Sequence, residues 1–136
     1  MKIRSAQDMI HFWKSLAQKH KILLLHWELG AGKTILAKWF AAWLGIDPNI
    51  VQSPTYAYIN SYENKLLHID LYRINKFEEL VEKWILDQIQ NHEYIVIERP
   101  KFISKLGISK HTFISIEKIS ENLRELKVSK RKKLES

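Results

Sequence analysis

Apolar residues recur along this chain in two rhythms, and the switches between them divide it into elements. Met9, Phe12, Trp13, Leu16 and His20 recur at helical spacing behind Ser5-Ala-Gln-Asp8, a capping-box pattern, which predicts an amphipathic helix over residues 5 to 19. Ile22 to His26 is a short apolar run of buried-strand type. A second helix is predicted from Thr34 to Leu44, with Trp39, Phe40 and Trp43 on its apolar side and with Gly45 and Pro48 ending it. Gln52-Ser53-Pro54-Thr55 reads as a loop, because Pro54 disfavours the helical region for Ser53. Tyr56 to Tyr62 and Leu66 to Tyr72 flank Glu63-Asn64-Lys65 as two antiparallel strands and a short turn. Asn75 to Glu78 is a further capping signal. Behind it Leu80, Val81, Trp84, Ile85 and Ile89 form the apolar stripe of one helix over about 76 to 90. Tyr94 to Ile97 is a near-continuous apolar strand, the kind a sheet covered on both faces uses. Lys110 to Glu117 and Asn122 to Val128 close the chain as strands. Trp13, Trp39, Trp43 and Trp84 all fall in helical stripes and are expected in the core.

Between the apolar run ending at His26 and the helix beginning at Thr34 lies Gly30-Ala31-Gly32-Lys33-Thr34. A glycine-rich loop between strand and helix can turn successive backbone N–H groups toward one anion, with the positive end of the helix dipole behind them. Lys33 adds a point charge near the outer phosphates and the Thr34 hydroxyl is placed to ligate Mg²⁺. The stretch expected to contact a nucleoside triphosphate is Leu29, Gly30, Ala31, Gly32, Lys33, Thr34 and Ile35. The bland alternative is a tight glycine turn with a surface lysine. One position departs from the G-x-x-x-x-G-K-[ST] pattern, since Trp27 stands where the first glycine belongs. A Cβ there opposes the positive φ that glycine allows, so the loop mouth around Trp27 and Glu28 is expected to be shaped differently, with Trp27 itself in the loop and near the nucleotide.

A phosphate loop with Mg²⁺ needs acids from neighbouring strand ends, where open α/β sheets place their ligands. Asp70 follows Leu66 to Ile69, and Glu98 directly follows Tyr94 to Ile97. Either acid could instead pair with a surface lysine or with Arg73. His68 shares a strand face with Asp70 and is expected to be a packed histidine, with orientation of that carboxylate as its alternative role. The six histidines show no metal-ligand spacing, so no zinc site is inferred.

At 136 residues with 46% hydrophobic and 27% charged positions, the chain has the size of one domain. Zero cysteines exclude disulfides, thiolate zinc sites and cysteine nucleophiles. No apolar run reaches the ~20 residues of a membrane span. The opening Met1-Lys2-Ile3-Arg4 leads straight into an amphipathic pattern, so no signal peptide is apparent and a cytoplasmic location is expected. The net charge of +7 is partly local: residues 127 to 133 hold five of the 22 cations, and only Glu135 of the 15 acids lies beyond them. Residues 1 to 126 therefore carry 17 minus 14, or +3. The reading is one domain over 1–128 with a basic tail over 129–136. Such a tail is a frayed terminus or a salt-dependent contact for RNA phosphates.

Taken in order, Leu29-Gly-Ala-Gly-Lys-Thr34, Ser53-Pro-Thr-Tyr56, His68-Ile-Asp-Leu-Tyr-Arg73, Glu78-Glu79-Leu80 and Ile97-Glu98-Arg99-Pro100 resemble the bacterial TsaE family, small ATPases required for making threonylcarbamoyladenosine beside the tRNA anticodon. The resemblance spans roughly residues 5 to 117. It implies an α/β P-loop NTPase fold whose central mixed, partly antiparallel sheet is flanked by helices, with ATP and Mg²⁺ as cofactors. It implies work beside the synthase pair TsaD and TsaB, with hydrolysis resetting that complex; tRNA is then an indirect partner, for which the basic tail is the candidate contact. Carried over by motif, Lys33 and Thr34 serve the phosphates and metal, Thr55 belongs to a switch-like loop at the catalytic centre, Asp70 is the metal-side acid, and Glu98 is the catalytic or metal-side carboxylate. Arg99 stands where the family usually has Trp. The competing readings are a non-hydrolysing nucleotide-binding scaffold, a small P-loop kinase and a basic RNA-binding protein. The kinase lacks chain for an arginine-bearing lid, and the RNA binder is opposed by the modest charge of residues 1 to 126.

Overall fold

Every apolar run read as a strand pairs into one seven-stranded mixed sheet in a computed structural model that describes residues 2–5, 7–8, 11–12, 21–27, 33–51, 59–108, 110–120 and 123–130. The elements are β1 (Lys2–Ile3), β2 (Ile22–Trp27), α1 (Lys33–Trp43), β3 (Ile59–Tyr62), β4 (Leu66–Asp70), α2 (Glu78–Glu82), α3 (Ile85–Gln90), β5 (Tyr94–Glu98), β6 (Thr112–Ser120) and β7 (Leu123–Lys130). Short 3₁₀ turns lie at Pro48–Ile50 and Ile103–Lys105. The strand order is β1-β7-β6-β2-β5-β4-β3. The four central strands run parallel, and β3 at one end and β7 and β1 at the other run antiparallel to their neighbours. Sequence reasoning had no strand for Lys2–Ile3, and β7 runs two residues into the stretch read as a tail.

Two apolar clusters sandwich the sheet. Alternation along the strands sends Leu23 and Leu25 of β2, Leu66 of β4, Val96 of β5 and Ile114 of β6 toward Ala37, Phe40 and Ala41 of α1. The opposite register sends Leu24, Leu67, Ile69, Ile95 and Ile97 toward Leu80, Ile85, Ile89, Ile103 and Leu106. With cover on both faces, the central strands read as runs of Leu, Ile and Val rather than as alternation.

Local signals operate at several boundaries. The Asp8 backbone N–H donates to Ser5 Oγ at 3.2 Å and the Arg4 N–H donates to Asp8 Oδ2 at 3.0 Å, and residues 7–8 and 11–12 are helical. Phe12 of that segment is buried in the α1-side cluster, whereas Met9, Trp13, Leu16 and His20 lie outside the described residues. Helix α1 ends as expected: Gly45 adopts φ +83°, its N–H bonds to Ala42 O at 3.0 Å and the Ile46 N–H bonds to Ala41 O at 2.9 Å, the Schellman pattern. The β3–β4 hairpin turns through Glu63 and Asn64, both left-handed at φ 54° and 55°.

The predicted helix over 76 to 90 is corrected to two short ones. Trp84 between α2 and α3 is left-handed at φ 61°, and its side chain is 70% exposed rather than in the core; Val81 is exposed as well. The break lets Leu80 on one side and Ile85 and Ile89 on the other all reach the sheet. The start of α2 is served by Glu79 rather than by the residues expected, since Glu79 Oε1 accepts from the Asn75 and Lys76 N–H groups at 3.0 and 3.1 Å. These two bonds hold the Glu79 carboxyl below its ordinary range. Trp43 packs half-buried against the α1-side cluster as expected, while the Trp39 side chain is outside the described set.

Candidate nucleotide and metal site

The carboxyl ends of β2, β5 and β4 lie side by side, and the residues singled out in the sequence meet there. Asp70 and Glu98 are the last residues of β4 and β5 and are in register with each other, while Glu98 is in register with Leu25 of β2. Because Leu25 faces α1, the two-residue period places Glu98, Asp70 and His68 on that same face of the sheet. After Trp27, β2 hands over to residues 28–32, and α1 starts at Lys33. The phosphate-loop sequence thus leaves the sheet one strand away from Glu98, and its helix covers the face that carries both acids.

Gly30, Ala31, Gly32, Leu29 and Thr55 lie outside the described residues, and Lys33, Thr34 and Ile35 are described only as the first turn of α1. Trp27 needs a correction. It is the last residue of β2, in register with Ile116, rather than part of the loop. Extended backbone accepts a Cβ without strain, so the steric objection to a non-glycine at this position does not arise.

Asp70 and Glu98 are buried to 2% and 1% exposure, and a carboxylate that dry needs specific partners. Asp70 Oδ1 accepts the Tyr72 backbone N–H at 2.9 Å, and Asp70 Oδ2 faces Arg99 Nη2 at 3.3 Å. Glu98 Oε2 pairs with His68 Nε2. His68 is therefore partnered with the acid on the neighbouring strand, diagonally across from it, rather than with Asp70 on its own strand. Its Nδ1 has no hydrogen-bond partner among the described residues.

The two loops that follow the acids are laced together. The Lys101 ammonium donates to Tyr72 O at 3.0 Å and to Ile74 O at 2.7 Å, and Phe77 and Phe102 meet edge to face at 6.2 Å. The Leu71 N–H bonds to Glu98 O, and the Arg99 N–H bonds to Leu25 O, both at 3.1 Å. These main-chain bonds continue the ladder one step beyond each strand and fix the spacing of the acids. Arg99 is left-handed at φ 49°, a conformation that costs a non-glycine residue roughly 1–2 kcal/mol. Its guanidinium also stacks on the Tyr72 ring, 4.3 Å from the centroid. In the sequence Arg99 reads as a departure that alters adenine packing or a partner contact and Tyr72 as part of a family motif; their contact with each other and with Asp70, and the role of Lys101, carry no signal there.

Comparison with known proteins bears on the family and the fold. The family described as "Threonylcarbamoyl adenosine biosynthesis protein TsaE" matches residues 3–128. Curated proteins named tRNA threonylcarbamoyladenosine biosynthesis protein TsaE are similar to the chain. The Aquifex aeolicus protein is 39% identical over 56% of the chain, the Rickettsia felis protein 33% identical over 82%, and the Treponema pallidum protein 28% identical over 93%. The chain spans 62% of the length of the first, 68% of the second and 96% of the third. Among solved structures, Bacillus subtilis YdiB superposes with a TM-score of 0.63 at 23% identity, covering 93% of this chain and 80% of that one, which shows that the two share an α/β fold. With a family match that runs from β1 into β7, the chain belongs to the TsaE family.

Proposed function

We propose that this chain is a magnesium-dependent ATPase that serves tRNA threonylcarbamoyladenosine synthesis, resetting the TsaD–TsaB pair by binding and hydrolysing ATP. The observation that carries the reading is the in-register pair Asp70 and Glu98, buried at parallel strand ends on the face covered by the helix that Lys33 and Thr34 open. Magnesium is held by one or two carboxylates, with water and substrate phosphates completing its shell, and this donor set fits that demand. Among the described residues no group of three or more His, Asp or Glu could hold a metal alone, so the protein's share would be Thr34 with Asp70 or Glu98. Bound there, the metal would neutralise charge on the phosphates.

The chain's own residues divide the remaining work. Lys33 and the first N–H groups of α1 supply positive charge to the phosphates. Glu98 is placed to orient a water and accept its proton, and His68 holds that carboxylate still. Thr55, in the switch-like loop that the family motif implies, is the further candidate at the catalytic centre. The basic residues after Lys127 are the candidate contact for tRNA, and a cytoplasmic location suits these partners. No helix of the described residues is long and apolar enough to cross a membrane.

The test is ATP turnover by the full chain with and without a TsaD–TsaB pair, for the parent, Asp70→Asn and Glu98→Gln. Both variants should lose turnover in the complex while retaining most nucleotide affinity. Parental turnover in both would make these structural acids and overturn the reading.

A further inference from the structure

Arg99 holds a position that the chemistry proposed for Asp70 also requires. Oδ1 of that carboxylate accepts the Tyr72 N–H at 2.9 Å, a side-chain-to-backbone bond across two residues that fixes which oxygen faces outward. Oδ2 faces a cation already, the Arg99 guanidinium at 3.3 Å. A divalent ion binds a carboxylate oxygen directly, at about 2.0–2.1 Å for magnesium. A guanidinium left in place beside it would suffer strong like-charge repulsion in so buried a site.

We infer that Arg99 is a resident counter-cation guarding the metal-side oxygen of Asp70, which must swing away before a divalent ion can take that oxygen. The inference rests on the reading of Asp70 as a metal-side acid. Two contacts hold the guanidinium in the guarded position, the Tyr72 ring 4.3 Å from it and the ion pair itself, while the Arg99 N–H bond to Leu25 O at 3.1 Å fixes the backbone from which the side chain swings. The way out is open, because the Arg99 side chain is 31% exposed and the Tyr72 residue 57%. The left-handed backbone of Arg99 fits the same account, since strained residues persist where surrounding contacts over-determine them. Arg99 is thus a positioning residue that makes metal binding without nucleotide weak. Phosphates give the displaced guanidinium a new anionic partner, so metal and nucleotide favour each other's binding.

Manganese titration followed by electron paramagnetic resonance tests this on the full chain without nucleotide. Arg99→Gln should bind Mn²⁺ about tenfold more tightly than the parent, equivalent to about 1.4 kcal/mol. Tyr72→Leu keeps the net charge and removes only the stacking platform, and should tighten Mn²⁺ by about threefold. Adding Asp70→Asn to Arg99→Gln should cancel the gain. Parental affinity in Arg99→Gln overturns the inference. So does an unchanged Tyr72→Leu, which would make any Arg99 effect one of bulk charge, and so does a gain that survives Asp70→Asn. A parallel titration with Mn²⁺ and ATP separates the two levels. If Asp70→Asn weakens the ternary complex while Arg99→Gln behaves as the parent without nucleotide, the guard fails and the metal site stands; if Asp70→Asn has no effect in the ternary complex, both fall.

Discussion

Strands β4 and β5 have two faces that solve burial in opposite ways. Toward α2 and α3 they present Leu67, Ile69, Ile95 and Ile97, every one buried against aliphatic neighbours. Toward α1 they begin with Leu66 and Val96 but end with His68, Asp70 and Glu98, equally dry and sustained by partners instead of by hydrocarbon. Aliphatic packing tolerates no loss of volume but makes no demand on charge. The polar corner costs stability for each group left unmatched and gives in return acids held still and shielded from water. Within β4 and β5, aliphatic packing therefore fills one face along its whole length, and the candidate chemistry occupies one corner of the other.

The largest expected effect tests that division on adjacent residues. Ile97→Ala opens a cavity on the aliphatic face and should cost about 2–5 kcal/mol of stability, read as a lower urea midpoint at unchanged slope. Its neighbour should behave in the opposite way. Glu98→Gln is close to isosteric and should lower partner-stimulated turnover by about a hundredfold, near 2.7 kcal/mol of barrier, while its urea midpoint moves less than that of Ile97→Ala. A variant at 98 that unfolds first would erase the distinction between the faces.

A smaller effect should come from the layer outside the aliphatic face. Trp84 is left-handed and largely exposed, so Trp84→Gly relieves backbone strain while giving up little burial. A gain of about 1 kcal/mol is expected; a loss would mean that the indole contributes packing worth more than the strain. The smallest effect concerns a half-buried histidine. His111 stacks edge to face on Phe113 at 6.0 Å at the rim of the aliphatic face, and burial lowers its pKa below 6.5. The unfolded chain then takes up its proton first as pH falls, so stability present above about pH 6.5 is lost toward the lower folded value. His111→Gln should flatten that part of the stability–pH curve, and an unchanged slope would count against burial as the cause.

These contrasts also explain what could be read from the sequence. Apolar runs such as Tyr94 to Ile97 announce doubly covered strands because both faces demand hydrocarbon, and an acid ending such a run stands out against it. The diagonal partnership of His68 with Glu98 depends on which strand lies beside β4, and the two-residue period only suggested Asp70. The break at Trp84 was invisible because no Gly or Pro marks it and the apolar stripe runs on through it. Arg99 was conspicuous as a residue type, yet its contact with Asp70 is set by backbone dihedrals that sequence does not display. Trp27 was misread because the pattern that demands glycine assumes a loop where this chain continues its strand.

The placement of β2 between β5 and β6 also sets a timetable for synthesis. The strand that delivers the phosphate-loop sequence emerges early, but its ladder partners, such as Ile97 and Glu98 on one side and Phe113 and Ile114 on the other, are made much later. The β3–β4 hairpin needs only its own turn, whereas contacts so distant along the chain close slowly. On the ribosome, Leu23, Leu24 and Leu25 therefore wait without their sheet neighbours until β5 has cleared the exit tunnel, and over that interval a chaperone that shields apolar segments would find its binding site in the residues just ahead of the glycine-rich sequence.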